Sequence, residues 1–130
     1  MIELVDLLPE LRHELETVAR PDQAPQMKAY MKDRAEFLGV KTSDRRIASK
    51  PFVSAGRHAT ADQLLTASDS CWAQPEREFQ YVAADLLKRW NTTLGPGSLP
   101  RIERLIRTKS WWDTVDVLAG NVVGPLVARN

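Results

Sequence analysis

The chain is poor in the residues that carry chemistry by themselves. Its 130 residues include one cysteine, Cys71, and two histidines, His13 and His58. A single cysteine excludes an intramolecular disulfide framework and fits a reducing, cytoplasmic setting. One cysteine and two histidines are too few for a protein-only zinc site of the usual kind. No apolar run reaches the length of a membrane span. The first residues, Met1-Ile2-Glu3-Leu4-Val5-Asp6, are acidic where a signal peptide is basic. No run of alternating β-branched residues points to a sheet, and no repeat of fixed period is visible. The net charge of +1 gives neither sign an overall excess.

What is present is helical periodicity over nearly the whole length. Leu4, Leu7, Leu8, Leu11, Leu15 and Val18 form one stripe, with Pro21 beyond its stop. A second helix is predicted over 23–36, with Met27, Tyr30, Met31 and Phe37 near its core side and Gly39 as its C-cap. Thr42 or Ser43 is the next N-cap candidate. It opens a segment through Ile47, Phe52 and Val53 that Pro51 should bend or shorten. A fourth helix begins near Thr60 and carries Leu64, Leu65 and Trp72. A fifth starts at Pro75-Glu76-Arg77-Glu78 and buries Phe79, Val82, Ala83, Leu86, Leu87 and Trp90; its early acids suit the helix dipole. After Gly95-Pro96-Gly97, a short helix over 99–107 carries Ile102, Leu105 and Ile106. The last helix runs from Trp111 to about Ala119. Gly120, Gly124 and Pro125 leave its second half open.

The predicted fold is therefore all-α: stacked antiparallel helix pairs, six or seven helices, in the manner of a HEAT or armadillo α-solenoid. A compact helical bundle is the rival. In a solenoid, the end at Asn130 would leave an apolar face uncovered. That predicts one helical domain over 1–130 that is part of something longer, or that associates with another copy.

Charge is banded along the chain. Residues 28–57 hold eight bases against three acids, and residues 88–109 hold six bases against one acid. Residues 1–22 and 58–87 are acidic. The two basic bands could meet on one surface and track a polyanion; the alternative is solvated helix faces.

The densest signal is Thr108-Lys109-Ser110-Trp111-Trp112-Asp113-Thr114-Val115-Asp116, which holds half of the four tryptophans. Ser110 is placed to act as N-cap, and Asp113 to close a capping box. Asp113 is thereby structural, and Trp111 is core. Trp112 and Asp116 are four apart and share a helical face. An aromatic plane beside a carboxylate suits something flat and cationic. On spacing alone, Asp116 reads as a solvated helix carboxylate and Trp112 as half-buried packing. Of Arg45 and Arg46, one should pair with an acid and the other face outward, in either order. Lys109, Arg107 and Arg104 either follow phosphate or lie on an exposed face.

Three stretches together resemble the bacterial DNA alkylation repair family, the AlkD-like glycosylases built from HEAT-like repeats. They are Tyr30-Met31-Lys32 with Phe37-Leu38-Gly39-Val40-Lys41-Thr42 and Arg45-Arg46; Pro75-Glu76-Arg77-Glu78-Phe79-Gln80-Tyr81; and Lys109-Ser110-Trp111-Trp112-Asp113-Thr114-Val115-Asp116. The resemblance spans about residues 25–125. It implies excision of positively charged N3- and N7-alkylated purines from double-stranded DNA. Asp116 would be the catalytic carboxylate, and Trp112 an aromatic lining the lesion site. Lys41, Thr42 and Arg46 would contact the DNA backbone. No metal or organic cofactor is implied, and no membrane.

The chain also departs from the family. Members are longer, and their site uses an arginine and a further tryptophan from repeats after the WWDTVD segment, so the chain resembles an N-terminal portion. Two other readings stay open: a DNA-binding module without catalysis, and a helical protein-interaction scaffold.

Overall fold

A computed structural model describes residues 2–130. Its helices are α1 (Leu8–Thr17), α2 (Ala24–Tyr30), α3 (Thr42–Ala55), α4 (Ala61–Trp72), α5 (Arg77–Arg89), α6 (Leu99–Arg107), α7 (Trp112–Asp116) and α8 (Gly124–Arg129), with a π-helical turn, Val117–Val123, joining the last two. No strand occurs among the described residues, and the one isolated bridge pairs Glu36 with Glu76. One buried apolar cluster extends from Leu4 to Leu126.

The helices stack in pairs. α4 and α5 are joined by four residues and pack closely, which makes them antiparallel neighbours. α4 starts where sequence chemistry places it. The Thr60 hydroxyl accepts from Gln63 N at 3.1 Å, and the Gln63 side chain accepts from Thr60 N at 2.9 Å. These two bonds satisfy otherwise orphaned amides at the helix start. α5 buries Phe79, Val82, Ala83, Leu86 and Leu87 as predicted, while Trp90 is half-buried and donates to Val53 O at 2.7 Å.

α3 and α5 lie side by side and run parallel. Arg45 of α3 pairs with Asp85 of α5 at 3.2 Å, and further along Val53 meets Trp90. α7 continues this inner row on the other flank of α5, tied to Arg77 and Tyr81. α4 and α6 form the outer row, bridged by Arg101 to Asp62 and Asp69, each at 2.8 Å.

Several expectations are corrected. The helix predicted over 23–36 ends at Tyr30, and Tyr30 is 71% exposed rather than turned to the core. Lys32 and Asp33 adopt left-handed backbone, with φ of 55° and 62°, and turn the chain toward α5. There Arg77 N donates to Glu36 O at 2.8 Å, and the Glu78 carboxylate accepts from the amides of Leu38, Gly39 and Val40 at 3.0–3.1 Å. These tertiary bonds outweigh the local helical periodicity.

Gly39 caps no helix. It sits at φ +90°, and a Cβ there would stand 2.1 Å from the carbonyl oxygen of Arg20. Its own carbonyl accepts from Arg20 N at 2.7 Å. Glycine is required because two backbone segments touch.

Lys41, not Thr42 or Ser43, is the N-cap of α3, and its side chain makes no cap bond. Pro51 does not stop α3, which continues to Ala55. Ile47, one turn earlier, is 73% exposed while Phe52 is buried. After Asp116 the helical path continues to Arg129 by widening. Pro125 has no N–H for the carbonyl four residues back, and the chain answers with the π-turn ahead of it.

Candidate functional site

The inner face of α5 carries a polar stripe at helical spacing: Arg77, Tyr81 and Asp85. Arg77 is fully buried. Its guanidinium donates to Lys109 O at 2.7 Å, to Asp113 Oδ1 at 2.5 Å and to the Thr114 hydroxyl at 2.9 Å. The Tyr81 hydroxyl donates to the other carboxylate oxygen, Asp113 Oδ2, at 2.5 Å. Burial first, and then the Asp113 carboxylate, push the Tyr81 phenol far above its usual range. Thr114 N also donates to Asp113 Oδ1, at 2.7 Å. Asp113 is therefore structural, but not through a capping box. The N-cap of α7 is Trp111, in extended backbone, and the Ser110 hydroxyl turns back to Ile106 O. Lys109, at φ 54°, gives the chain its sharp turn into α7.

This network pegs the first turn of α7 to α5. Trp112 and Asp116 then project from that turn into solvent. Trp112 is 72% exposed and Asp116 is exposed, with no hydrogen bond or ion pair to Asp116 among the described residues. Trp111, expected in the core, is half-buried, with the Arg34 guanidinium 4.9 Å from its ring centre. Trp72 is buried as predicted and donates to Thr108 O at 2.7 Å, bracing the approach to α7. Lys109 does not reach outward. Its ammonium donates to the carbonyls of Trp72 and Gln74, and burial, then the neighbouring Arg77, lower its pKa.

Lys41, Thr42 and Arg46 are all exposed at the start of α3. Thr42 lines a cavity of about 330 Å³ with Tyr30, Phe37, Arg45 and Tyr81. Arg45 is the buried, acid-paired member of its dipeptide, and Arg46 is the outward one. Arg46 and Lys50 of α3 face Lys88 and Arg89 of α5 across a groove of about 670 Å³. Only Lys88 and Arg89 of the second basic band meet the first band here; Arg101 is bound to α4, Arg107 to Glu103, and Lys109 to the carbonyls of Trp72 and Gln74. Among the described residues, no group of three or more His, Cys, Asp or Glu is placed to hold a metal, and no helix is long and apolar enough to cross a membrane.

The residues that sequence reading missed are Arg77 and Tyr81. Their signal was partial: two polar residues one turn apart on a helix whose apolar stripe marks it as buried, among other polar residues such as Glu78 and Gln80. Such residues must find partners when the helix is buried.

An all-α stack that holds an aromatic–carboxylate pair on a braced turn, beside a cationic inner face, defines a class of helical-repeat protein. The sequence model of the DNA alkylation repair enzyme family matches residues 11–130, and the chain belongs to that family. Among solved structures it resembles a predicted DNA alkylation repair enzyme from Enterococcus faecalis. The TM-score is 0.78 at 28% identity, over 85% of this chain and 52% of that one. The chain thus spans about half the length of that relative. No curated protein gives a significant match.

Proposed function

We propose that the chain takes part in hydrolysis of the N-glycosidic bond of cationic N3- or N7-alkylated purines in double-stranded DNA. The carrying observation is the contrast between two carboxylates on one short segment. Asp113 is consumed by Arg77, Tyr81 and Thr114, while Asp116 is exposed and, among the described residues, unpaired, on the same helix as Trp112. The protein spends one acid on rigidity and leaves the other for work.

Cleavage of an N-glycosidic bond develops oxocarbenium character at the sugar, as in glycoside hydrolysis. A carboxylate near that carbon stabilises the charge or orients the attacking water. An alkylated purine already carries positive charge and leaves as a neutral base without protonation. One carboxylate therefore suffices. The electron-rich face of Trp112 suits a cationic base or the sugar beside it. Lys41, Thr42 and Arg46, at the exposed start of α3, suit phosphate oxygens.

A second reading is DNA binding without base release. The openness of the pair favours it: Trp112 and Asp116 line neither of the two cavities described above. Incubation with methylated duplex DNA separates the two. Glycosylase action releases 7-methylguanine, and Asp116→Asn abolishes release while leaving binding intact. Binding with no release by the unaltered chain supports the second reading. No salt-dependent DNA affinity at all would sink both.

A further inference from the structure

From a cavity beside the turn into α7 we infer a binding site for a small free oxyanion, of the class of inorganic phosphate or a phosphomonoester. The cavity holds about 260 Å³ and lies where residues 31–35, 75–80 and 109–110 come together. Three cations line it, Arg34, Arg77 and Lys109, and no carboxylate does among the described residues. The Asp113 carboxylate reaches Arg77 from outside the lining, and its other oxygen is taken by Tyr81. It offsets one of the three charges and leaves two.

Each cation has donors to spare. Arg77 is fully buried, yet its Nε has no hydrogen-bond partner among the described residues. A buried donor without an acceptor is costly, so the floor of this cavity is short of an acceptor. The Lys109 ammonium donates to the carbonyls of Trp72 and Gln74, which leaves one of its three N–H groups. Arg34 is exposed, pairs with no carboxylate among the described residues, and meets only the Trp111 ring. Arg77 and Lys109 also stand close enough to repel each other. An oxyanion offsets that repulsion and brings the acceptors that the lining lacks.

The buried floor selects the form of the anion. A phosphodiester within a duplex is held between two sugars and stays at the protein surface. A free phosphate or a phosphomonoester can enter. The site is separate from the positions at the start of α3 and does not depend on the proposed function. It is adjacent to the machinery all the same, because Arg34 touches Trp111, the N-cap of α7. A bound anion therefore ties the 31–35 crossing and the start of α5 to the turn that carries Trp112 and Asp116.

The test is calorimetric titration of the 130-residue chain with inorganic phosphate at neutral pH, with sodium chloride holding the ionic strength constant. Binding should saturate at one phosphate per chain. Arg34→Gln, at an exposed position, should keep the fold and weaken binding about tenfold, the loss of one charge-assisted hydrogen bond. Arg104→Gln removes an exposed cation of α6 that lies outside the cavity, and should bind phosphate like the unaltered chain. A chain first saturated with duplex DNA should also take up phosphate unchanged. Absence of saturable binding overturns the site, even if phosphate raises the melting temperature in simple proportion to its concentration, since exclusion from the protein surface does that. Equal weakening in the two variants overturns it in favour of a general charge effect. Displacement of phosphate by duplex overturns it by giving the cavity to the DNA backbone. Each of these results leaves the proposed function standing.

Discussion

Asp113 and Asp116 are three residues apart, yet their surroundings demand opposite outcomes on substitution. Removing the Asp113 carboxylate leaves the fully buried Arg77 guanidinium without its counter-charge. Asp113→Ala should therefore destabilise the fold by about 3–5 kcal/mol in urea denaturation, the usual effect of breaking a buried pair from one side. Asp116→Asn, at an exposed position, should leave the denaturation midpoint unchanged. Equal stability losses in the two variants would refute the division of roles. The sequence showed where the pair Trp112–Asp116 lies, because four-residue spacing reports a shared face directly. It did not show what Asp113 does. An N-cap serine followed three residues later by an acid is a local pattern, and here the acid is claimed by Arg77, 36 residues away. Local signals cannot reveal a competitor that arrives through the fold.

At the scale of elements, the helices with strong apolar stripes were legible. The residues over 99–107 form α6, and α5 buries every side chain its period predicts except Trp90. The stretch after Tyr30 was not. Its periodicity continues, but the backbone follows the Glu36 bridge and the Glu78 carboxylate instead. The conformational freedom of Gly39 is legible in the sequence, but its use is a close backbone approach and not a helix cap. Its left-handed backbone and the absence of a side chain both serve the contact with Arg20. Gly39→Ala should accordingly cost more than about 1 kcal/mol, beyond the ordinary glycine-to-alanine effect. Thermal denaturation checks this, and a neutral result would mean that the 33–41 crossing shifts freely.

For the whole molecule, pH dependence on the alkaline side follows from burial. Desolvation raises the Cys71 thiol from an ordinary value of 9.0 to about 12, and the Tyr81 phenol moves in the same direction. The folded state thus holds these protons more tightly than the unfolded chain. Their contribution is complete below pH 9 and is lost as pH rises toward about 12. Urea midpoints should fall steadily over that window, and Cys71→Ala should flatten part of the decline. A thiol reagent should label Cys71 only as fast as the chain unfolds. Rapid labelling of the native protein would contradict the buried placement.

The grip of Glu78 on three backbone amides has a consequence in time as well as in space. It joins segments about 40 residues apart in sequence. Ordering the intervening chain carries a loop-closure cost that must be met before the contact forms. The crossing that leads into α3 can meet Arg20 early, but it lacks its Glu78 anchor until α5 exists. During synthesis from the N-terminus, the first helices emerge well before the residue that fixes how they connect. The first helices therefore reach their final connection only after α5 has been made.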